Sequence, residues 1–193
     1  FDEMPNFTKW LEANPVIKAE ITAEDGHIYY MPAMNVANDY GPCVMYNQQW
    51  LKKAGKEAPT TLDELVELLR YYRDNDMNGD GDASDEIPLS VMSAFLPYMF
   101  GPAFGLDLVS GFRADESGNV TYAAADSEKY KEYLTFLRDL YEEGLLEVEY
   151  TSLDRDQITE RISNNKTGVT FDYSWSQSMI FSPVLPGYDG TAE

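Results

Sequence analysis

Asp74-Asn75-Asp76-Met77-Asn78-Gly79-Asp80-Gly81-Asp82-Ala83-Ser84-Asp85-Glu86 places six carboxylates in thirteen residues and spaces them with two glycines. Carboxylates this close repel one another unless a cation shares them, and Ca²⁺, which takes roughly six to eight oxygen ligands from a flexible loop, suits the spacing. Two registers fit. From Asp74, oxygens fall at loop positions 1, 3, 5, 7, 9 and 12 (Asp74, Asp76, Asn78, Asp80, Asp82, Asp85) with Gly79 at position 6, which is EF-hand spacing with Asp in place of the closing Glu. From Asp76, the set is Asp76, Asn78, Asp80 and the backbone carbonyl of Asp82, closed by Asp85 and Glu86. The second register is preferred, because Glu86 has the length to bind an ion with both oxygens. The competing reading is a solvated acidic turn, since Asn-Gly and Asp-Gly are ordinary turn dipeptides. Oxygens at every second position exceed what a turn needs. No base or open coordination position lies nearby in the sequence, so the ion is expected to clamp structure rather than catalyse.

The flanks of this stretch set the fold class. Upstream, Thr61 with Glu64 three residues on forms a capping box, and Leu62, Leu65, Leu68, Leu69 and Tyr72 trace one face of a helix running to about residue 73. Downstream, Ile87-Pro88-Leu89-Ser90-Val91 reads as a buried strand. The loop therefore joins a helix to a strand, whereas an EF-hand joins two helices.

Further out, apolar residues at Phe7, Trp10, Leu11, Val16 and Ile17, interrupted by Pro15, predict two short helical turns. Residues 27–32 after the Asp25-Gly26 turn predict a strand, as do residues 41–47, which lead into a short helix stopped by Gly55. Residues 93–105 are rich in aromatics; most belong in a core, with one or two, Phe95 and Tyr98 among them, available for binding. A hairpin is expected around residues 115–119. A long helix capped by Asp126 or Ser127 follows and ends at Gly144, then a smaller one containing Ile158 and Ile162. Residues 169–173 read as a strand with Ser174-Trp175 at its end, and residues 182–190 as a loop.

With 193 residues, 44% hydrophobic and 13% aromatic, the chain can bury a core in one large domain or two small ones. A net charge of −20 argues against nucleic acid or anionic membrane surfaces as partners, which call for basic patches. No apolar run approaches the ~20 residues of a membrane span. The single cysteine, Cys43, reads as a packed thiol. The chain opens at Phe1 without methionine and stops just after a turn, which reads as a piece of something longer.

Chemistry is narrowed by what is scarce. His27 is the only histidine, so neither a nucleophile–imidazole pair nor a zinc site of the usual ligands can be assembled. Neither common glycine-rich phosphate loop occurs. Paired carboxylates for glycoside hydrolysis cannot be judged by counting among 34 acidic residues. What stands out is aromatic abundance: a strand-end Tyr173-Ser174-Trp175 offers flat faces on which the C–H side of a sugar ring can stack. A buried core Trp is the equal alternative.

Several stretches in sequence order resemble the family-1 extracellular solute-binding proteins of ABC sugar transporters, the type that includes maltose- and alginate-oligosaccharide-binding proteins. They are Asp25-Gly26-His27-Ile28-Tyr29-Tyr30-Met31-Pro32, Met45-Tyr46-Asn47-Gln48-Gln49-Trp50-Leu51-Lys52-Lys53-Ala54-Gly55, Pro59-Thr60-Thr61-Leu62-Asp63-Glu64-Leu65 and residues 76–89. Residues 137–146 and the glycine-led strand of residues 166–175 continue the series. Each is modest; six in the right order are specific.

The resemblance implies an α/β, periplasmic-binding-protein-like (class II) lobe, with a mixed sheet flanked by helices. Residues 1–193 would form a single incomplete lobe, with a hinge-crossing segment near residues 33–47. It also implies a monomeric extracytoplasmic receptor, cell-surface lipoprotein or periplasmic, that binds oligosaccharide and serves ABC permease subunits without catalysis. Any membrane attachment would be through a lipid anchor outside this chain. A structural Ca²⁺ would be held by Asp76, Asn78, Asp80, Asp82, Asp85 and Glu86, and the sugar by Trp175 with Tyr173 beside it; Phe95 and Tyr98 of the aromatic stretch are the further candidate sugar contacts. The alternatives are a glycoside-active enzyme domain with a structural calcium and a dockerin-like module, which needs its calcium loop twice.

Overall fold

The computed structural model describes residues 4–32, 41–114 and 117–187. By backbone contacts the chain forms two compact units, Phe1–Asn38 and Asp39–Glu193. Residues 33–40 of the expected hinge segment, the tip of the hairpin at residues 115–116 and the chain beyond residue 187 lie outside the described residues.

In the first unit, Pro5 and Pro15 each open a helix, where a missing N–H costs nothing, giving α1 (Pro5–Ala13) and α2 (Pro15–Ile21). Phe7, Leu11 and Ile21 are buried together, with Trp10, Ile17 and Ile28 packed on them. The strand expected at residues 27–32 does not form. A strand needs a partner along its length, and among the described residues the only pairing here is the isolated bridge between Thr22 and Ile28. Tyr29, Tyr30 and Met31 are exposed.

The second unit is built around a three-stranded mixed sheet of order β1-β5-β2, comprising β1 (Pro42–Tyr46), β2 (Ile87–Leu89) and β5 (Thr167–Tyr173). β5 is central: β1 runs antiparallel to it with Pro42 opposite Tyr173 and Tyr46 opposite Val169, and β2 runs parallel with Ile87 opposite Thr167. Alternation along this register sends Val44, Val169 and Phe171 to one face and Met45, Thr170 and Asp172 to the other. Helix α3 (Gln48–Ala54) starts where Asn47 Oδ1 accepts from the backbone N–H groups of Gln49 and Trp50, and Gly55 at φ 63° ends it. Helix α4 (Leu62–Asp74) has the expected capping box and buries Leu65, Leu68, Leu69 and Tyr72. A short helix α5 (Leu96–Phe100) precedes the hairpin of β3 (Phe112–Ala114) and β4 (Val120–Tyr122). Then come α6 (Ser127–Glu142), capped by Asp126, and α7 (Arg155–Ser163), capped by Asp154.

After β5 the chain does not leave as a loop. It winds on through α8 (Ser174–Ser176), a wider π-type turn over Gln177–Phe181 and α9 (Ser182–Val184). Phe181 explains the continuation, because it is buried with Leu153, Ile158 and Ile162 beneath α7.

The main core is closed by a contact between backbone and rings. Trp50 and Tyr72 are fully buried and meet edge to face at 5.2 Å, and a side chain at Gly168 would stand 2.4 Å from Tyr72 Cδ2 and 2.7 Å from Trp50 Cε3. Gly168→Ala is therefore expected to cost about 1–3 kcal/mol, seen as a lower urea midpoint. An unchanged midpoint would mean the two rings are not held against β5.

Candidate functional site

The acidic stretch runs directly from α4 to β2 and is folded on its own carboxylates. Asp76 Oδ1 accepts from Gly79 N and Asp76 Oδ2 from Gly81 N at 3.0 Å. Asn78 Oδ1, Asp80 Oδ1 and Asp82 Oδ1 each accept from the backbone two residues on, at 2.8–2.9 Å. Gly81, at φ 96°, takes a conformation that few other residues adopt. Gly79, the sixth residue of the register beginning at Asp74, takes the same conformation at φ 88°, as Gly81 does in the register beginning at Asp76, so the backbone geometry fits both registers. The Asp82 carboxyl is held below its usual range by the Ser84 hydroxyl and backbone.

The six expected ligands are unequally placed. Glu86 is buried; its Oε1 accepts from Met77 N at 2.7 Å and Asn78 N at 3.2 Å, while Oε2 has no partner among the described residues. Asp80 and Asp82 are exposed. Asp85 spends one oxygen on Asn78 Nδ2 and the other on Lys166 Nζ at 2.8 Å, an ion pair that raises the Lys166 pKa. Lys53 Nζ lies 3.9 Å from Asp76. Among the described residues no three acidic, cysteine or histidine side chains stand close enough together to hold a metal ion. The donor chemistry nevertheless fits a hard cation: a buried carboxylate oxygen without a partner costs free energy that an ion would relieve.

Three of the four expected sugar-contacting aromatics, Phe95, Tyr98 and Tyr173, meet at the other end of β5, and Trp175 follows two residues after Tyr173. Phe95 is 7% exposed and meets Tyr98, Phe171 and Tyr173 edge to face at 6.0, 5.8 and 5.6 Å. It is a core ring that props Tyr173, while Tyr98 and Tyr173 are half-buried. Trp175, also half-buried, stands over Arg155, with the guanidinium carbon 5.1 Å from the ring centroid. The nearby carboxylate of Asp172 keeps that guanidinium's pKa above its ordinary value. A separate cavity of about 280 Å³ opens between β1, the first half of β5 and residues 177–187. Thr170, Gln177 and Phe181 line it, and none of the four expected aromatics does.

Sequence reading missed the buried ionic pairs. Asp172, 1% exposed, is held by Arg155 through Nε at 2.7 Å and Nη2 at 2.9 Å. Glu147, also buried, accepts from the Ser90 hydroxyl and from Arg161 Nε at 3.1 Å. The one available signal was a carboxylate inside the apolar run Val169-Thr170-Phe171-Asp172-Tyr173, which demands a cationic partner.

No protein-family model matches the chain. It is 34% identical, over 97% of its length, to the fructooligosaccharide ABC transporter substrate-binding protein FusA of Streptococcus pneumoniae. It is 26% identical, over 74% of its length, to the lipoprotein LipO of Bacillus subtilis. An extracellular solute-binding protein from Bifidobacterium longum subsp. infantis superposes on 93% of the chain with a TM-score of 0.77 and 30% identity. A FusA EF-hand mutant in complex with fructo-nystose does so on 88%, with a TM-score of 0.68 and 33% identity. The chain spans 38% of FusA and 39% of the Bifidobacterium protein. FusA is named as a substrate-binding protein of an ABC transporter, and the Bifidobacterium protein as an extracellular solute-binding protein. The chain is thus a part-length homologue of the sugar substrate-binding proteins of ABC transporters, with their periplasmic-binding-protein-like fold.

Proposed function

We propose that this chain is a sugar-contacting, calcium-bearing lobe of an extracytoplasmic receptor that delivers oligosaccharide to an ABC permease. Homology to FusA along 97% of the chain carries the reading. Trp175, half-buried at the C-terminal end of a central strand, supports its local form, because open α/β sheets bind ligands beyond the carboxyl ends of their strands. Trp175 stacks on a sugar ring, Tyr173 and Tyr98 border it, and Phe95 supports Tyr173 from the core. The FusA relatives are named for fructooligosaccharide, kestose and fructo-nystose, so short fructans are the first ligands to try. The receptor works as a monomer. LipO is a lipoprotein, which favours attachment by a lipid anchor; among the described residues no helix is long and apolar enough to cross a membrane.

Calcium binds the loop in the register beginning at Asp76. Asp76, Asn78 and Asp80 supply side-chain oxygens, Asp82 its carbonyl and Glu86 its unpartnered Oε2, with Asp85 tied to Lys166 at the rim. The exposed members swing inward on binding, since the loop's carboxylates repel one another without an ion. The ion's task is to tie the end of α4 to the start of β2. A FusA structure described as an EF-hand mutant supports such a loop in a relative.

Trp175→Ala in the complete protein is expected to raise the Kd for kestose by at least ~30-fold by calorimetry, the scale of a buried aromatic anchor; an unchanged Kd would remove Trp175 from the site. Ca²⁺ at about a hundredfold over its Kd is expected to stabilise the chain by about 2.7 kcal/mol, read as a Tm rise that EDTA reverses. Asp80→Ala should abolish that rise while leaving the Tm in EDTA unchanged. A Tm indifferent to EDTA after calcium loading would sink the calcium reading.

A further inference from the structure

Arg155 is anchored on every side before any ligand arrives. It is the first residue of α7, between Asp154 and Gln157, which cap that helix reciprocally at 2.9 Å. Its carbonyl accepts from the Thr159 hydroxyl at 2.7 Å. Its Nε and Nη2 are both spent on the two oxygens of Asp172, and Asp172 Oδ1 also takes the backbone N–H of Tyr173 at 2.7 Å. A planar guanidinium fixed at two nitrogens cannot rotate, so its face has a set direction. The guanidinium carbon lies over the Trp175 ring, 5.1 Å from its centroid, within cation–π range. The Arg155 side chain is 32% exposed, so the contact sits at the protein's rim rather than deep in its core.

We propose that Arg155 is a positioning residue for sugar binding: clamped by Asp172, its guanidinium fixes the Trp175 indole in the orientation that receives the sugar ring. This rests on the reading that Trp175 stacks on sugar. An indole free to turn about two side-chain torsions would lose rotamer freedom on binding, and an indole already stacked on a fixed cation has lost it beforehand. The arrangement spares the ligand that cost. Asp172 accordingly acts one step further back, by holding the arginine plane.

The test is a double-mutant cycle in the complete protein with kestose as probe. Arg155→Lys keeps a positive charge beside Asp172 but removes the rigid fork, which preserves folding while freeing the indole. The expected result is a Kd raised about three- to fivefold, the scale of a partly exposed cation–π contact, against less than a twofold change when the same substitution is made on Trp175→Ala. Equal weakening in both backgrounds would overturn the proposal, since Arg155 would then act independently of Trp175. A Trp175→Ala protein that binds kestose as well as the parent would overturn the stacking reading itself, a result distinct from any behaviour of Arg155→Lys. A second arm needs no sugar: acrylamide quenching of Trp175, taken as the difference from Trp175→Phe, should increase in Arg155→Lys. Unchanged quenching would mean the guanidinium does not hold the ring.

Discussion

The second unit depends on how closely the backbone of β5 lies against two rings. Gly168 has no side chain, so the Trp50–Tyr72 pair, carried by α3 and α4, presses directly on the strand. Neighbouring groups hold the same place. Asn165 Oδ1 accepts from Trp50 Nε1 at 3.1 Å and from Asn47 Nδ2 at 2.9 Å, and Asn47 N donates to Gly168 O at 2.8 Å. One asparagine pair thus satisfies the buried indole N–H, caps α3 and closes the β1–β5 end of the sheet. Losing a fully buried Trp of this kind typically costs about 3–5 kcal/mol.

From that contact the rest of β5 follows as a ruler. Its first residue, Thr167, sits beside the acidic loop, where Ile87 N donates to Lys166 O at 2.7 Å and Lys166 pairs with Asp85. Its last residue, Tyr173, leads into Trp175. Seven extended residues separate the two ends by about 20 Å. The candidate ion site and the candidate sugar contact therefore share one strand without sharing a ligand, which suits a structural rather than chemical role for the ion.

Buried charge is handled consistently. Asp172 faces Arg155, Glu147 faces Arg161 and Ser90, and each arginine comes from α7. Removing one partner of such a pair leaves an uncompensated charge in a poorly solvating interior, commonly at a cost of about 3–5 kcal/mol. These two pairs tie α7 to β5 through Asp172 and, through Glu147, to the segment after α6 whose backbone donates to Leu89 of β2. Glu86 differs, with one oxygen satisfied by backbone amides and the other without a partner among the described residues.

Wherever a signal is local, the sequence by itself settled the structure: the capping box at Thr61 and Glu64, the leucine face of α4, the glycine stop at Gly55 and the helix–loop–strand order around Asp76. Each rests on hydrogen bonds or periodicity within about one or two turns of chain. Tertiary structure decided what depends on a distant partner. Residues 27–32 have strand-forming side chains but only one bridging neighbour among the described residues, and the stretch from residue 182, read as a loop, begins as a helix because the turn before it buries Phe181 beside α7. The same holds for Arg155: no spacing in the sequence links it to Asp172, 17 residues away, or to the ring of Trp175. A side chain's partner is set by how the strands and helices pack, and packing is a property of the whole chain rather than of any stretch within it.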